Sequence, residues 1–443
     1  MMAIWRQYSI MFLPNKPSSN GSPILIRKLV RNASLFTPLD DGHPAVGRQQ
    51  GRLLHIPQAA ILIENGMIVQ VGPELDVFAT IRPGEIDEEI DAAGACMIPG
   101  FVDPHTHLCF TSPREAEFSQ RLQGVSYLEI LRQGGGILSS VAAIGRTSEE
   151  DLYQITRKRA LKALSLGSTT VEIKSGYGLD RENELKMLRV IKKVAHTTPL
   201  DVIATFLGAH AVPPAYKGRE DDYIGFIIDE MLPLVKTEKL AEQCDIFCEK
   251  GVFSLDQSRR LLRAAKNHGF KVKIHADEVN DLGGAGLAAE MQAVSADHLL
   301  AASATGIARM AAAGVVATLL PATAYSLKKP YARAKDMLAQ GVALAIATDC
   351  NPGSSFCESM PFVIGLAILK MGLSPAEALT ASTLNGAYAI GLAEKVGSLQ
   401  VGKQADFLFL DGESPAVLAF HAGVSPLLAV YKRGEKITGN QRE

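Results

Sequence analysis

Short runs of alternating hydrophobic and polar residues near both ends of the chain predict β-strands joined by tight turns. Residues 60–69 form the clearest hairpin pattern, because the dipeptide Asn65-Gly66 at its centre supplies the positive φ angles of a two-residue turn. Apolar strand patterns return at 405–410 and 428–431. We predict one small β-sandwich built from both regions, although the pattern alone leaves open whether they meet.

Between these regions, hydrophobic runs of strand length alternate with stretches of helical periodicity. One predicted helix covers 148–166, with Ser148 as its N-cap. Eight strands alternating with helices over about 250 residues predict a closed (β/α)8 barrel, an α/β fold of the TIM type. The alternative is an open doubly wound sheet, which is less favoured because no glycine-rich nucleotide-binding motif follows the first strand. The predicted strands cover 97–102, 168–173, 202–207, 243–247, 272–274, 293–295, 315–319 and 342–347.

These patterns divide the chain into a barrel, a small domain made from both chain ends and a short extension. The extension has a short apolar stretch without a clear cleavage site, so it indicates a signal peptide only weakly. Met2 or Met11 could equally be the start of the protein. The predicted parts are a loose extension at 1–22, a β-sandwich domain at 23–97 and 396–440, and a catalytic barrel at 98–395.

The composition is that of a globular protein, with 47% hydrophobic and 21% charged residues. A net charge of −2 argues against nucleic acid or an anionic membrane surface as a partner. No apolar run is long enough to cross a bilayer. The six cysteines form no CxxC pair, which favours free thiols in a reducing compartment, so we expect a cytoplasmic protein.

Polar residues of the kinds used in metal binding and catalysis follow almost every predicted barrel strand. Because a barrel gathers the C-terminal ends of its strands on one face, we expect these residues to converge. In chain order the segments are DPHTH at 103–107, KSGY at 174–177, GAH at 208–210, CEK at 248–250, HADE at 275–278, DH at 297–298, PAT at 321–323 and TDCNPG at 348–353.

Four of these residues predict a metal site. His105 and His107 are two positions apart, and residues with this spacing in extended chain point the same way, so both rings can reach one cation. His275 adds a third nitrogen and Asp349 an oxygen, a set that suits zinc or iron. An HxH pair alone is often accidental, but four such residues at matching strand ends are hard to produce by chance. Such an ion would lower the pKa of a bound water to about 7.

Three side chains are candidates for proton transfer and carbonyl polarisation. Glu278 lies three residues past His275, close enough to touch the water, although it could instead be a carboxylate that stabilises a helix N-terminus. Asp349 could bind the metal and also move a proton. His298 could polarise a carbonyl group or donate a hydrogen bond to Asp349.

The sequence IPGFVDPHTH at 98–107 resembles the first-strand motif of amidohydrolases, and the other candidate ligands fit the mononuclear branch of that superfamily. Narrower motifs resemble the imidazolonepropionase family, and the likeness covers nearly the whole chain after about Ser22. These motifs are EIKSGYGL at 172–179, TFLGAHAVPP at 205–214, HADE at 275–278 and TDCNPGS at 348–354.

The resemblance implies hydrolysis of 4-imidazolone-5-propanoate to N-formimidoyl-L-glutamate, a step of histidine degradation. It also implies one zinc or iron ion, a small-molecule substrate that bears a carboxylate, and a homodimer. The implied metal ligands are His105, His107, His275 and Asp349. The implied substrate contacts are Arg114, Tyr177, His210 and Glu278, with Asn351, Gly353 and Ser354 around the carboxylate end.

Arg114 and the segment 351–355 each have a plainer alternative role. Arg114 could be an exposed loop residue rather than a two-pronged carboxylate ligand. The backbone N–H groups of 351–355 could form an anion-binding nest or simply a Gly/Pro turn.

Three other functions remain open at this point. A deaminase of the same fold would attack an amidine carbon and release ammonia. A non-catalytic scaffold would be expected to have lost metal ligands, and all four are present here. A binuclear hydrolase would need a modified lysine near the fourth strand, but the neighbours of Lys250 do not resemble that motif.

Overall fold

The fold is seen in a computed structural model that describes residues 25–125, 129 and 135–439, so the predicted extension at 1–22 lies outside the described residues. The described strands form two separate sheets of eight. In chain order they are β1 (Arg27–Pro38), β2 (Leu53–Glu64), β3 (Met67–Pro73), β4 (Glu88–Asp91), β5 (Cys96–Pro99), β6 (Phe101–Asp103), β7 (Ser168–Lys174), β8 (Asp201–Ala209), β9 (Gln243–Cys248), β10 (Lys271–Ala276), β11 (Ser295–His298), β12 (Val316–Leu319), β13 (Leu344–Ile346), β14 (Phe407–Leu410), β15 (Leu427–Lys432) and β16 (Glu435–Gly439).

Strands from both ends of the chain form one continuous sheet. Its order is β16-β15-β14-β5-β1-β2-β3, with β4 also paired to β1. β14 runs antiparallel to β5, so Phe407 lies opposite Pro99 and the two chain ends are joined. Ile61 from one half of the sheet shares a hydrophobic core with Phe407 and Tyr431 from the other half. The small β domain predicted from both chain ends is therefore confirmed.

The predicted hairpin is present between β2 and β3. Asn65 and Gly66 have φ angles of 48° and 82°, the left-handed pair that a tight turn between twisted strands requires. Gly66 also lies against the turn at Arg433, where an added Cβ atom would come 2.8 Å from the Arg433 Cβ. Glycine is therefore needed both for the turn and for the contact between the two chain ends.

The other sheet contains β6 to β13 in chain order, with every neighbouring pair parallel. Two backbone hydrogen bonds of 3.0 Å join the segments that follow β6 and β13. Asp349 N–H donates to the His105 carbonyl, and His107 N–H donates to the Cys350 carbonyl. The predicted parallel barrel is therefore confirmed. The C-terminal ends of its strands are called the rim below.

The prediction of one barrel strand at 97–102 is wrong, because the structure has two strands there, separated at Gly100. β5 pairs within the sheet built from both chain ends, which is called the terminal sheet below, whereas β6 begins the barrel. Gly100 lies against β7, where an added Cβ atom would come 2.3 Å from the Thr169 hydroxyl oxygen. Only glycine allows this close approach. The terminal sheet is thus attached directly to the strand that leads into the first two candidate ligands.

Helices alternate with the barrel strands. Ser148 accepts a hydrogen bond from Asp151 N–H and so caps the helix predicted at 148–166. No helix in the described part of the chain is long and apolar enough to cross a membrane. The α-helices are α1 (Glu74–Phe78), α2 (Glu115–Leu122), α3 (Ile137–Arg146), α4 (Glu149–Ser165), α5 (Arg181–Thr197), α6 (Glu220–Phe226), α7 (Leu232–Thr237), α8 (Leu255–Asn267), α9 (Gly284–Glu290), α10 (Ala304–Ala313), α11 (Pro321–Ser326), α12 (Ala334–Ala339), α13 (Met360–Met371), α14 (Pro375–Ala381), α15 (Leu384–Ala389) and α16 (Val417–Phe420).

Candidate metal centre and active site

The three histidines and the aspartate predicted as metal ligands meet at the rim. His105 and His107 follow β6, while His275 lies near the end of β10. The Nε2 atoms of His107 and His275 are 3.4 Å apart. Asp349, which follows β13, places Oδ1 3.5 Å from His105 Nε2 and 3.6 Å from His107 Nε2. All four residues are buried.

The separations between these atoms fit one metal ion. Tetrahedral ligands with bonds of about 2.0–2.2 Å lie about 3.3–3.6 Å from one another. Burial and then nearby charged groups lower the pKa of His105 and of His107, which keeps both rings in the neutral form that binds metals. Among the described residues, His105 Nε2 is buried without a hydrogen-bond partner. A cation at this point would satisfy it.

Asp349 is suited to a cation for the same reasons. Burial raises the pKa of Asp349, and the neighbouring His298 offsets this only in part. A carboxylate in such a place ionises more readily beside a positive charge. Thr323 Oγ1 donates to Asp349 Oδ2 at 2.5 Å, which leaves Oδ1 facing the histidines. The donor set therefore fits a metal ion that prefers nitrogen and oxygen ligands.

Two further carboxylates orient the histidines. Asp297 Oδ2 lies 2.6 Å from His105 Nδ1, and Asp245 Oδ2 lies 2.9 Å from His275 Nδ1. Burial opposes a positive charge on His275, but the Asp245 carboxylate outweighs it and raises the pKa of the ring. Holding Nδ1 in this way turns Nε2 towards the metal position and increases its basicity.

A buried layer of charges lies beneath these carboxylates. Lys174 Nζ is 2.7 Å from Glu172 Oε1 and 2.8 Å from Asp245 Oδ2. Lys273 Nζ is 3.4 Å from Asp297 Oδ2. Burial opposes the charge on Lys174, but Asp245 and Glu172 raise its pKa above the usual value. The two lysines therefore compensate the negative charge of the orienting carboxylates inside the barrel.

Glu278 and His298 lie together beside the metal position. His298 Nδ1 is 3.7 Å from Glu278 Oε2, and the His298 ring lies 5.1 Å from the ring of His275. Glu278 is partly exposed, so it lies between the buried ligands and the solvent. His298 and Asp349 have φ angles of 76° and 50°, a backbone conformation that is costly for residues other than glycine and concentrates at functional sites.

Tyr177 and His210 lie beside the proposed ligand His107. The ring of His210 stacks on that of His107 with centroids 4.9 Å apart, and the Tyr177 ring lies 5.2 Å from His210. His210 Nδ1–H donates to the Gly176 carbonyl at 3.0 Å. Burial and then the charge of His275 lower the pKa of His210 to about 3, so this ring is neutral. Both residues therefore present uncharged polar atoms to the site.

Arg114 also lies at the rim, against the loop after β13. An added Cβ atom on Gly353 would come 1.6 Å from Arg114 Nη2. Among the described residues, Arg114 Nε and Nη1 are buried without a hydrogen-bond partner. Nε lies 3.7 Å from Glu117 Oε2, which leaves Nη1 available to a substrate carboxylate. The N–H groups of Gly353 and Ser354 each donate to Asn351 Oδ1 at 2.8 Å. These two nest donors are thus paired within the loop, and direct substrate contact by the loop stays a prediction.

Comparison with known proteins identifies the family. Residues 96–437 match the sequence model of the Amidohydrolase family. The chain is 61% identical over 410 residues to an imidazolonepropionase of Desulfotalea psychrophila, which covers 93% of this chain and 99% of that protein. An imidazolonepropionase of Syntrophobacter fumaroxidans is 57% identical over 420 residues, covering 94% and 99%. The chain belongs to the imidazolonepropionase branch of the amidohydrolase family.

Solved structures support the fold of this amidohydrolase. A 5-methylcytosine deaminase from Klebsiella pneumoniae superposes with a TM-score of 0.68 at 16% identity, covering 94% of this chain and 99% of the other. A triazine hydrolase variant superposes with a TM-score of 0.71 at 19% identity, covering 94% and 95%. At such identities the likeness shows the shared architecture alone.

The sequence analysis did not identify the buried carboxylates that hold other side chains and loops of this amidohydrolase site in place. Asp245 is the clearest case. The sequence feature that could have indicated it is a charged residue within a mostly apolar strand. Glu184, on α5, is buried and holds the loop that carries Tyr177. Its carboxylate accepts hydrogen bonds from the N–H groups of Gly176, Gly178 and Leu179.

Proposed function

We propose that this chain hydrolyses the cyclic amide of 4-imidazolone-5-propanoate to N-formimidoyl-L-glutamate in histidine degradation. One observation carries the proposal: relatives named imidazolonepropionase match over 99% of their own length at 61% and 57% identity. The geometry of the rim supports the proposal, because the rim holds a set of metal-ligand side chains, a carboxylate for proton transfer and an arginine with a buried donor that makes no hydrogen bond.

The metal would be one zinc or iron ion. When bound, such an ion lowers the pKa of water at the site to about 7 and so supplies a nucleophile near neutral pH. Metal analysis of the purified protein identifies the ion. The residues that would hold it are His105, His107, His275 and Asp349.

Glu278 and His298 are the residues proposed to act on the proton and on the carbonyl oxygen. Water adds to the ring carbonyl carbon and gives one proton to the Glu278 carboxylate. The His298 ring stabilises the carbonyl oxygen as it gains negative charge. The lactam C–N bond then breaks, and the proton passes to the departing nitrogen, with Asp349 as a second carrier. One water is consumed. One of its protons ends on the departing nitrogen and the other leaves the new carboxyl group, so the product gains a carboxylate.

Arg114 is proposed to bind the propionate of the substrate, and Arg114→Gln is expected to raise KM about 10- to 150-fold. This range corresponds to the loss of a charge-assisted hydrogen bond worth about 1.5–3 kcal/mol. Steady-state kinetics should show kcat changed much less than KM, because the contact exists in substrate and transition state alike. Arg31→Gln, on the terminal sheet, is the control. An unchanged KM in Arg114→Gln would remove Arg114 from the binding site.

The activity itself is tested by following the absorbance of 4-imidazolone-5-propanoate with purified, metal-containing protein. We expect the absorbance to fall, N-formimidoyl-L-glutamate to accumulate and no ammonia to be released. A deaminase, the nearest alternative, would release one ammonia for each substrate consumed. Ammonia release, or no turnover at all, would contradict the proposal.

Three expectations from the sequence remain proposals. The homodimer is tested by light scattering of the purified protein, and the cytoplasmic location by fractionation of the source cells. The domain limits at 97/98 and 395/396 are tested by limited proteolysis.

A further inference from the structure

Glu249 takes no part in the proposed chemistry, but its carboxylate makes hydrogen bonds to the chain next to Glu278. It lies directly after β9, in the CEK segment at 248–250, and it is buried. Glu249 Oε2 accepts from Val279 N–H at 2.9 Å and from Asn280 N–H at 3.3 Å. Glu249 Oε1 accepts from Asn280 Nδ2 at 2.7 Å and from Lys250 N–H at 2.9 Å. One carboxylate thus accepts four hydrogen bonds.

These contacts fix the chain immediately after Glu278. The chain just before Glu278 is fixed as well, because Asp277 is buried and has a φ angle of 50° that its surroundings must hold in place. Glu278 therefore stands between two anchored backbone segments, with its carboxylate 3.7 Å from His298. The Asp277 carboxylate accepts from the N–H groups of Leu282, Gly284 and Ala285.

We propose that Glu249 is a positioning residue that holds the backbone of Glu278 so that its carboxylate meets the reacting water. This inference rests on the proposed function, since it assigns Glu249 to the same reaction. Only an ionised carboxylate accepts at all four places, because an amide would turn an N–H group towards other N–H donors. A displacement of about 1 Å at a proton-transfer group can cost about 100-fold in rate.

The test uses Glu249→Gln, Glu278→Gln and the double variant in the metal-loaded enzyme. In Glu249→Gln we expect kcat to fall about 10- to 100-fold, with KM and bound metal within about twofold of wild type. In the Glu278→Gln background, the second substitution should have almost no further effect, because the group it positions is already gone. A purely structural role would lower activity by the same factor in both backgrounds.

Glu377→Gln is a control outside the candidate site. The Glu377 carboxylate also accepts a backbone N–H, from Ser374, and it pairs with Lys335 at 3.0 Å. The Glu377 carbonyl accepts a hydrogen bond from Gln50. Gln50 in turn bonds Leu344 at the start of β13, so this cluster lies at the end of the barrel away from the rim. We expect this variant to affect the melting temperature at most.

Amide hydrogen exchange gives a readout that does not depend on turnover. In Glu249→Gln the amides of Val279 and Asn280 should exchange faster than in wild type, with little change elsewhere. A wild-type kcat in Glu249→Gln, or equal losses in both backgrounds, would overturn the positioning role. Failure of wild type to open the imidazolone ring would instead overturn the proposed function, while the exchange measurement would still test the contact.

Discussion

Glu278→Gln is expected to keep its metal and to lose kcat by a factor of about 100 to 10,000, the usual contribution of a positioned acid–base group. The amide has nearly the same shape as the carboxylate but cannot take a proton. Glu278 lies outside the four proposed ligands and is partly exposed, so neither metal content nor folding should change appreciably.

The measurement is single-turnover and steady-state kinetics beside metal analysis of the same preparation. Glu89→Gln is the matched control, because Glu89 lies on β4 of the terminal sheet and its exposed carboxylate pairs only with Arg31 among the described residues. A wild-type rate in Glu278→Gln would show that the proton is carried by another group, and Asp349→Asn would then be the next variant to examine.

Removal of the metal is expected to abolish turnover and to lower the stability of the protein. The rings of His105 and His107 are buried, and their lowered pKa values keep them neutral, so both can bind a cation without first losing a proton. A ligand at one hundred times its Kd stabilises the folded state by about 2.7 kcal/mol, and this contribution disappears on stripping. Zinc or ferrous iron added back should restore both activity and melting temperature.

The variant His275→Ala tests the same dependence on the metal by removing one proposed ligand. It should purify with little metal and no activity, whereas His196→Ala, on the exposed side of α5, should retain both. Stripped protein that still opened the ring at the wild-type rate would refute the metal-dependent chemistry.

Much of this site could be predicted from local sequence patterns. The alternation of strands and helices predicts a barrel, and a barrel brings His105, His275 and Asp349 to one face whatever the details of its loops. The spacing of His105 and His107 similarly predicts that they point the same way. Such inferences succeed because they depend on periodicity within a few residues or on a general property of the fold.

The supporting carboxylates could not be assigned in this way. Glu249 is recognisable only through Val279 and Asn280, which lie in the next strand–helix connection. The same limit explains the division at Gly100, since the requirement for glycine comes from Thr169 on the neighbouring strand. Contacts of this kind depend on three-dimensional neighbours that no short-range pattern encodes.

The hydrogen bonds that join the first and last barrel strands have a consequence for biosynthesis. Asp349 and His105 are both proposed ligands, and they are hydrogen-bonded to each other across that junction. A ribosome-bound chain that has not yet released its eighth strand holds the three histidines but lacks Asp349. We therefore expect stable binding of the proposed ion only at the end of synthesis, once the barrel can close.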